Sequence, residues 1–401
     1  MDKITAEVQS FYEAYPYPPD GRVDCDGYHA RLLLSYLQRN VQDSGPVRVL
    51  EAGCGRGMNL QAAAEIQSDI DFTGIDVNRV AIAEADRRSA QSGLANLRYR
   101  YADLLDRGSL PALQGGYQVI LSYGVVHHLS DPLQGLSTLN QLLASQGVIA
   151  IMLDGSFGRQ PLDRYLQALN IVDPGQRSMD RVPIARALAT AAETSLFKGN
   201  HWQGTAVTDD IEFADRCLHV HQHSYDIAGL WRLLESAGLR FIRWLEPNDW
   251  TIRRLIDDAQ LLGHMEALNE VDQYRLIERL FFRPKLTMVV SKRDENVRKP
   301  LQAAEVASAW FARSPQLTLE ADDARGGVCR LRGRKVDLDG HPLSRQILAQ
   351  AADWPDGFSG RQLIDRLTLQ GNDSQLIIQA VLYLVEHELL FRPHPDSLEQ
   401  S

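Results

Sequence analysis

The chain has 401 residues, of which 44% are hydrophobic and 23% charged, and its formal net charge is −10. This length accommodates two or three domains around a sizeable core, and the composition is globular rather than disordered or fibrous. So acidic a chain is a poor general partner for nucleic acid.

Cys25, Cys54, Cys217 and Cys329 are far apart and form no C-x-x-C pair. That spacing argues against a disulfide framework or structural zinc and predicts a reducing, cytoplasmic location with no metal. The opening M-D-K-I-T-A-E-V-Q-S lacks the basic and apolar regions of a secretory signal. No apolar run approaches the ~20 residues that cross a bilayer, so no membrane partner is expected.

Residues 1–45 read as a helical cap or arm. Asp2–Tyr15 and Tyr28–Gln38 have helical spacing, with a turn at Pro16–Gly21. The stretch F-Y-E-A-Y-P-Y-P-P sets Phe11, Tyr12, Tyr15 and Tyr17 beside three prolines. Such an arm docks on a core through its rings, or forms a lid whose tyrosines reach a reaction centre and exclude water.

From Val47 to Met152 strands and helices alternate. Strands are expected at Val47–Glu51, Phe72–Asp76, Leu97–Ala102, Gln118–Ser122 and Val148–Leu153, with helices at Asn59–Gln67, Arg79–Ser92 and Pro132–Ala144. Short apolar runs divided by helices imply a parallel sheet covered on both faces. Its ligands belong beyond the carboxyl ends of the strands.

The first strand ends in V-R-V-L-E-A-G-C-G-R-G, with Gly53, Gly55 and Gly57 at alternate positions. Glycine takes positive φ and lets a ligand lie on the main chain, and the following helix offers free N–H groups. The two tenants of such a loop are a dinucleotide and S-adenosylmethionine. The dinucleotide fingerprint needs a small third residue at position 58, where this chain has Met58.

Glu51, Asp76 and Asp103 close the first three strands. Asp76, in G-I-D-V-N, lies where a ribose-binding acid belongs, although Asp also caps helices. Asp103, in A-D-L-L-D, is placed to cap a helix or to meet an adenine amino group. After the fourth strand, L-S-Y-G-V-V-H-H-L-S-D-P puts His127 and His128 toward the same crevice, where imidazole accepts protons near neutral pH.

Residues 154–224 form a long insertion with helical patches at Pro161–Asn170 and Pro183–Leu196, read as a lid or substrate-binding subdomain. It ends in H-V-H-Q-H, whose His219, His221 and His223 share one face if extended. A polar pocket wall is favoured over a metal site, because no acid or cysteine stands at a familiar ligand spacing. The helix S-Y-D-I-A-G-L-W-R-L-L-E-S-A-G-L then starts near Asp226 and stops at Gly238. A strand (Arg240–Leu245), a second helical insertion at 250–283 and a strand at Leu286–Lys292 complete the domain 46–293. Residues 294–325 read as a linker. Residues 326–401 hold a strand pair (Cys329–Leu338), helices at Leu343–Ala352, Ser359–Leu367 and Ser374–Glu388, and a short terminal strand, a winged-helix-like α+β domain. Its last helix is acidic, which favours dimerisation (a homodimer), lid support or protein recognition over DNA.

Val47–Gly57, G-I-D-V-N, Y-A-D-L-L and L-S-Y-G-V-V-H-H-L resemble, in order, the motifs of class I S-adenosylmethionine-dependent methyltransferases. The resemblance implies a Rossmann-like, mostly parallel α/β sheet of seven strands with helical insertions and an antiparallel final strand. It also implies that Gly53, Gly55 and Gly57 pass under the methionine part of the cofactor and that Glu51 meets its amino group. Asp76 with Val77 would take the ribose, Asp103 with Leu104 the adenine, and Ser122 and Tyr123 would lie near the methyl. More loosely, Y-P-Y-P-P, F-A-D-R-C-L-H-V-H-Q-H-S-Y and G-R-K-V-D-L-D-G-H-P-L-S-R-Q-I-L resemble the bacterial protein-lysine methyltransferase group, whereas H-H-L-S-D-P is more like small-molecule methyltransferases. The acceptor is then a protein side chain or a small nucleophile. For an amine, Tyr15, Tyr17 and Tyr123 would line a cation–π channel. For a hydroxyl or carboxylate, His127 or His128 would act as base or orienting group. The alternative is a non-catalytic sensor of S-adenosylmethionine that binds DNA or protein through its last domain.

Overall fold

A computed structural model of the protein describes residues 2–19, 28–37, 47–110, 113, 115–174, 181–294, 297–320, 328–331, 334–336, 338 and 341–393. Cys25 and part of the Pro16–Gly21 turn lie outside them. The chain divides into two compact units, Met1–Tyr28 with Pro46–Asp294, and His29–Gly45 with Glu295–Ser401.

The first unit is built on seven strands: β1 (Arg48–Ala52), β2 (Asp71–Asp76), β3 (Leu97–Tyr101), β4 (Tyr117–Tyr123), β5 (Leu143–Asp154), β6 (Leu239–Trp244) and β7 (Lys285–Lys292). Their order is β3-β2-β1-β4-β5-β7-β6. Strands β1 to β5 pair in parallel, and β7 runs antiparallel to both β5 and β6. The expected seven-stranded sheet is therefore present. Val49, Leu50 and Ala52 are fully buried on β1, as a central strand covered on both faces requires. Glu51 sits opposite Gly74 on β2 and Leu121 on β4, so the acid stands near the end of a strand flanked on both sides within the sheet.

Helix ends follow local chemistry. The Asn78 side chain accepts from the N–H groups of Val80 and Ala81 to open the helix Arg79–Ser92, and Gly93 closes it at φ 69°. The Asp226 side chain opens Ile227–Ser236 in the same way.

Both insertions are helical. The first contains Ser156–Val172, Val182–Glu193 and Asp210–Cys217; the second contains Ile252–Leu255, Ala259–Glu266 and Glu270–Leu280. The N-terminal helix Lys3–Ala14 docks on the first. Its Phe11, and Tyr15 just beyond it, join Leu162, Tyr165, Phe197 and Phe213 in one apolar layer.

The expected single cap at 1–45 is divided, because residues 29–37 bond to the second unit. Leu37 bridges Val297, and Arg298 N–H donates to the Tyr36 carbonyl at 3.1 Å. The second unit also corrects the linker expected at 294–325. This stretch contains a 3-10 turn, Ala303–Ser308, and the strands Trp310–Arg313 and Leu317–Glu320. Trp310–Arg313 pairs with Phe358–Ser359 and Leu390–Phe391, partners too distant in sequence for a local pattern to announce. The expected hairpin forms between Val328–Leu331 and Arg334–Val336. Three helices, Pro342–Ala351, Gly360–Leu369 and Ser374–Glu386, close the unit around Phe311, Phe358, Leu363 and Val381. Among the described residues no helix is long and apolar enough to cross a membrane.

Phe213 is completely buried beneath the arm. Phe213→Ala is expected to cost about 3 kcal/mol of stability by chemical denaturation and to open residues 2–19 to limited proteolysis in the native state.

Candidate functional site

The chain turns sharply where β1 ends. Gly53, Gly55 and Gly57 all have positive φ, at 83°, 51° and 72°. The turn is pinned to β2, because the N–H groups of Gly53 and Cys54 both donate to the Ile75 carbonyl, at 2.8 and 2.9 Å. Space is as restrictive as angle. A Cβ at Gly53 would lie 2.2 Å from Val125, and one at Gly55 would lie 2.6 Å from the Tyr17 carbonyl oxygen. The arm thus rests on the glycine loop. Gly57 caps the helix Met58–Ile66 with Tyr99 against it and does not line the cavity beside the loop; it shapes the turn rather than meeting a ligand.

That cavity, about 310 Å³, opens over the carboxyl ends of β1 to β5. Its first half is lined by Glu51, Gly53, Gly55, Asp76, Val77, Asp103 and Leu104. Asp76 accepts from Gly55 N–H and from Asn78 N–H, each at 2.8 Å. Glu51 accepts from the Tyr28 hydroxyl through one carboxylate oxygen, while its buried Oε2 has no partner. Asp103 accepts from Leu105 N–H at 2.9 Å, and its buried Oδ2 is likewise unmatched. Burial pushes all three carboxyls above their ordinary range, Glu51 to about 8. Two orphaned acceptors inside a cavity call for donors from a ligand. An ammonium, ribose hydroxyls and an exocyclic amine are such donors, so the residues fit S-adenosylmethionine.

The second half is aromatic and charged. Tyr12, Tyr17, Tyr28 and Tyr123 line it with His127, His128, Asp154, Arg159, Asp215 and Gln222. Asp154, the last residue of β5, accepts from Arg159 Nη1 at 2.8 Å and from the Gln222 amide. Arg159 Nη2 also donates to Gln222 Oε1 at 2.8 Å. Arg216 donates to Glu212 at 2.8 Å, and the Tyr12 hydroxyl donates to Asp215 Oδ1 at 3.0 Å.

His127 and His128 stand together on the loop after β4, with ring centroids 4.1 Å apart. Burial, with the neighbouring histidine in each case a smaller cause, pushes both well below the ordinary imidazole range. The pair is neutral at pH 7. His128 Nδ1 lies 2.9 Å from the His221 carbonyl, which fixes it as the protonated nitrogen. A neutral, weakly basic imidazole orients partners better than it stores protons.

Three expectations are corrected here. Tyr15 is buried in the apolar layer of the arm and does not line the cavity. It lies one helical turn from Phe11, on the docked stripe, whereas Tyr12 turns about 100° off that stripe and enters the cavity instead. Ser122 is fully buried and also outside the cavity, because successive strand residues face opposite sides and Tyr123 takes the cavity side. His219, His221 and His223 are not cavity residues. His219 stacks behind His128 at 3.6 Å between centroids, and His221 Nε2 lies 3.1 Å from His223 Nε2. Gln222, between them, provides the polar wall. Tyr12 entered the sequence reading only among the tyrosines of the arm, and Tyr28, Asp154, Arg159 and Asp215 escaped it; of these four only Asp154 carried a usable signal, as one more acid closing a strand.

The sheet order and the glycine turn specify a nucleotide-binding α/β fold, and the family comparison decides its chemistry. A methyltransferase-domain family matches residues 50–149, the span from β1 into β5. The protein is a class I, S-adenosylmethionine-dependent methyltransferase.

The methyltransferase is 29% identical over 293 residues to an uncharacterised protein of Synechococcus, covering 70% of this chain and 69% of that one. It is 27% identical to malonyl-[acyl-carrier protein] O-methyltransferase of Bacillus cytotoxicus over 43% of the chain, and spans 58% of that relative. Among solved structures, PKMT2 from Rickettsia typhi has the same fold over 95% of this chain and 78% of its own, with a TM-score of 0.70 at 15% identity. The same Rickettsia protein has been solved in complex with AdoHcy.

Glu51 makes the unliganded enzyme pH-sensitive. Its carboxyl titrates near 4.5 when unfolded and near 8 when folded, so the folded state holds the proton more tightly between those values. Its contribution is full below the lower value and lost as pH rises through the upper one. Urea unfolding at pH 5 and pH 8 is expected to show a smaller decline for Glu51→Gln than for wild type, by at least about 1 kcal/mol.

Proposed function

We propose that this methyltransferase modifies the nitrogen of an amine carried on a protein, a lysine-type side chain. The observation that carries the reading is the set of tyrosines, Tyr12, Tyr17, Tyr28 and Tyr123, that line the cavity. Faces of tyrosine attract a cation and shed water from it, and desolvation lowers an amine's pKa toward its nucleophilic form. The likeness to PKMT2 over nearly the whole chain supports a protein acceptor. So does the second unit, whose helices resemble a winged-helix module. Its last helix, Ser374–Glu386, has no lysine or arginine, which suits protein better than DNA.

S-adenosylmethionine supplies, when bound, a methyl on a sulfonium that leaves as a neutral thioether once an acceptor lone pair forms the new bond. The chain's own residues bind and align. Glu51 would hold the amino group through its unmatched oxygen, Asp76 with Val77 the ribose, and Asp103 with Leu104 the adenine. Gly53 and Gly55 give the methionine part a surface without side chains. The acceptor ammonium yields one proton to water at the cavity mouth before its lone pair is used. His127 and His128, neutral, orient the acceptor from the β4 side. The buried free thiols of Cys54, Cys217 and Cys329 accord with a cytoplasmic enzyme.

Incubation of the enzyme with host-cell extract and methyl-labelled S-adenosylmethionine tests the reading. Label is expected in protein, resistant to base and recovered as N-methylated lysine after hydrolysis. Label released by mild base, or found in small solutes, would overturn it.

A further inference from the structure

The charges of the acceptor half balance in number but not in direct pairing, and the shortfall falls on one residue. Three acids line it, Asp154, Glu212 and Asp215, with three basic side chains, Arg159, Arg216 and Lys285. Arg159 is committed to Asp154 at 2.8 Å, and Arg216 to Glu212 at 2.7 Å. Lys285 is exposed and reaches Asp215 only through space. Among the described residues no cation bonds to Asp215, whose one partner is the Tyr12 hydroxyl on Oδ1. His201, also at the cavity, cannot supply the missing charge, since burial lowers it to about 4.

We infer that Asp215 is the anchor for the acceptor's ammonium group and that Tyr12, on the N-terminal helix, holds its carboxylate in place. This deepens the amine reading and rests on it. A carboxylate acceptor, such as a malonyl group, would meet Asp215 as a like charge with both arginines already neutralised. An ammonium would complete the pairing that the cavity leaves open. The Tyr12 bond occupies Oδ1 and leaves Oδ2 for the substrate. Because Tyr12 belongs to the docked arm and Asp215 to the insertion helix Asp210–Cys217, the anchor is complete only when the arm is in place. Burial raises the Asp215 carboxyl to about 6, so it is anionic at pH 7 and loses its hold on an amine as pH falls through that value.

The test compares wild type, Asp215→Asn and Tyr12→Phe. Methyl transfer from labelled S-adenosylmethionine into dilute host-extract protein is measured beside AdoHcy affinity by calorimetry. Asp215→Asn is expected to lose at least tenfold in incorporation while AdoHcy affinity stays within twofold, and Tyr12→Phe, which keeps the charge, to lose two- to fivefold. Undiminished incorporation into N-methyl-lysine by Asp215→Asn would overturn the anchor and leave the amine reading standing. If Asp215→Asn fails to bind AdoHcy and so does not fold, Tyr12→Phe decides, and full activity there overturns the anchor. Wild-type label in base-labile linkage, or no label in any fraction, overturns the amine reading and the anchor with it.

Discussion

The carboxylate of Asp76 holds the site together. From the end of β2 it accepts the N–H of Gly55 across the sheet and that of Asn78 along its own chain, both at 2.8 Å. These bonds fix a loop whose three glycines have positive φ, and they begin the helix that Asn78 caps. A buried carboxylate is costly unless its oxygens are satisfied. Here the satisfaction comes from backbone, which ties strand, turn and helix into one rigid floor. The other two strand-end acids are left half-satisfied. Glu51 and Asp103 each keep one buried oxygen without a partner, and in a folded protein that is a standing demand for a donor.

The opposite wall is assembled by tertiary contacts. The insertion after β5 forms an apolar layer that includes the fully buried Phe213, and the arm lies on that layer through Phe11 and Tyr15. Docking sets the helical phase of the arm, so Tyr12 faces the cavity and the Tyr17 carbonyl covers Gly55. Cofactor half and acceptor half therefore share a boundary at the arm. The histidines after β4 are packed between the sheet and the H-V-H-Q-H segment, and their burial keeps them neutral. An acceptor side with neutral imidazoles, tyrosines and a carboxylate, Asp215, bonded only by a hydroxyl suits positioning an acceptor better than driving proton transfer.

What could be read from the sequence follows from the range of the forces involved. The glycine turn, the acids closing β1, β2 and β3, and the alternation of strands and helices are local consequences of backbone geometry, and they stand where the residues placed them. Ser122 was misplaced because a strand's period gives two faces without saying which one is wet. Tyr15 was misplaced for the helical counterpart of that reason, since choosing between Tyr12 and Tyr15 requires knowing what the arm docks on. Asp215 and Arg159 lie on insertion helices whose approach to the sheet no local pattern encodes. The strand Trp310–Arg313 was hidden in a presumed linker because its partners lie near residues 358 and 390.

The cofactor site depends most directly on Asp76. Calorimetric titration of AdoHcy into wild type and Asp76→Ala, with thermal unfolding to confirm that both are folded, isolates it. At least a hundredfold loss of affinity, about 2.7 kcal/mol, is the result this arrangement predicts. An Asp76→Ala protein that is folded and binds AdoHcy as tightly as wild type would contradict it.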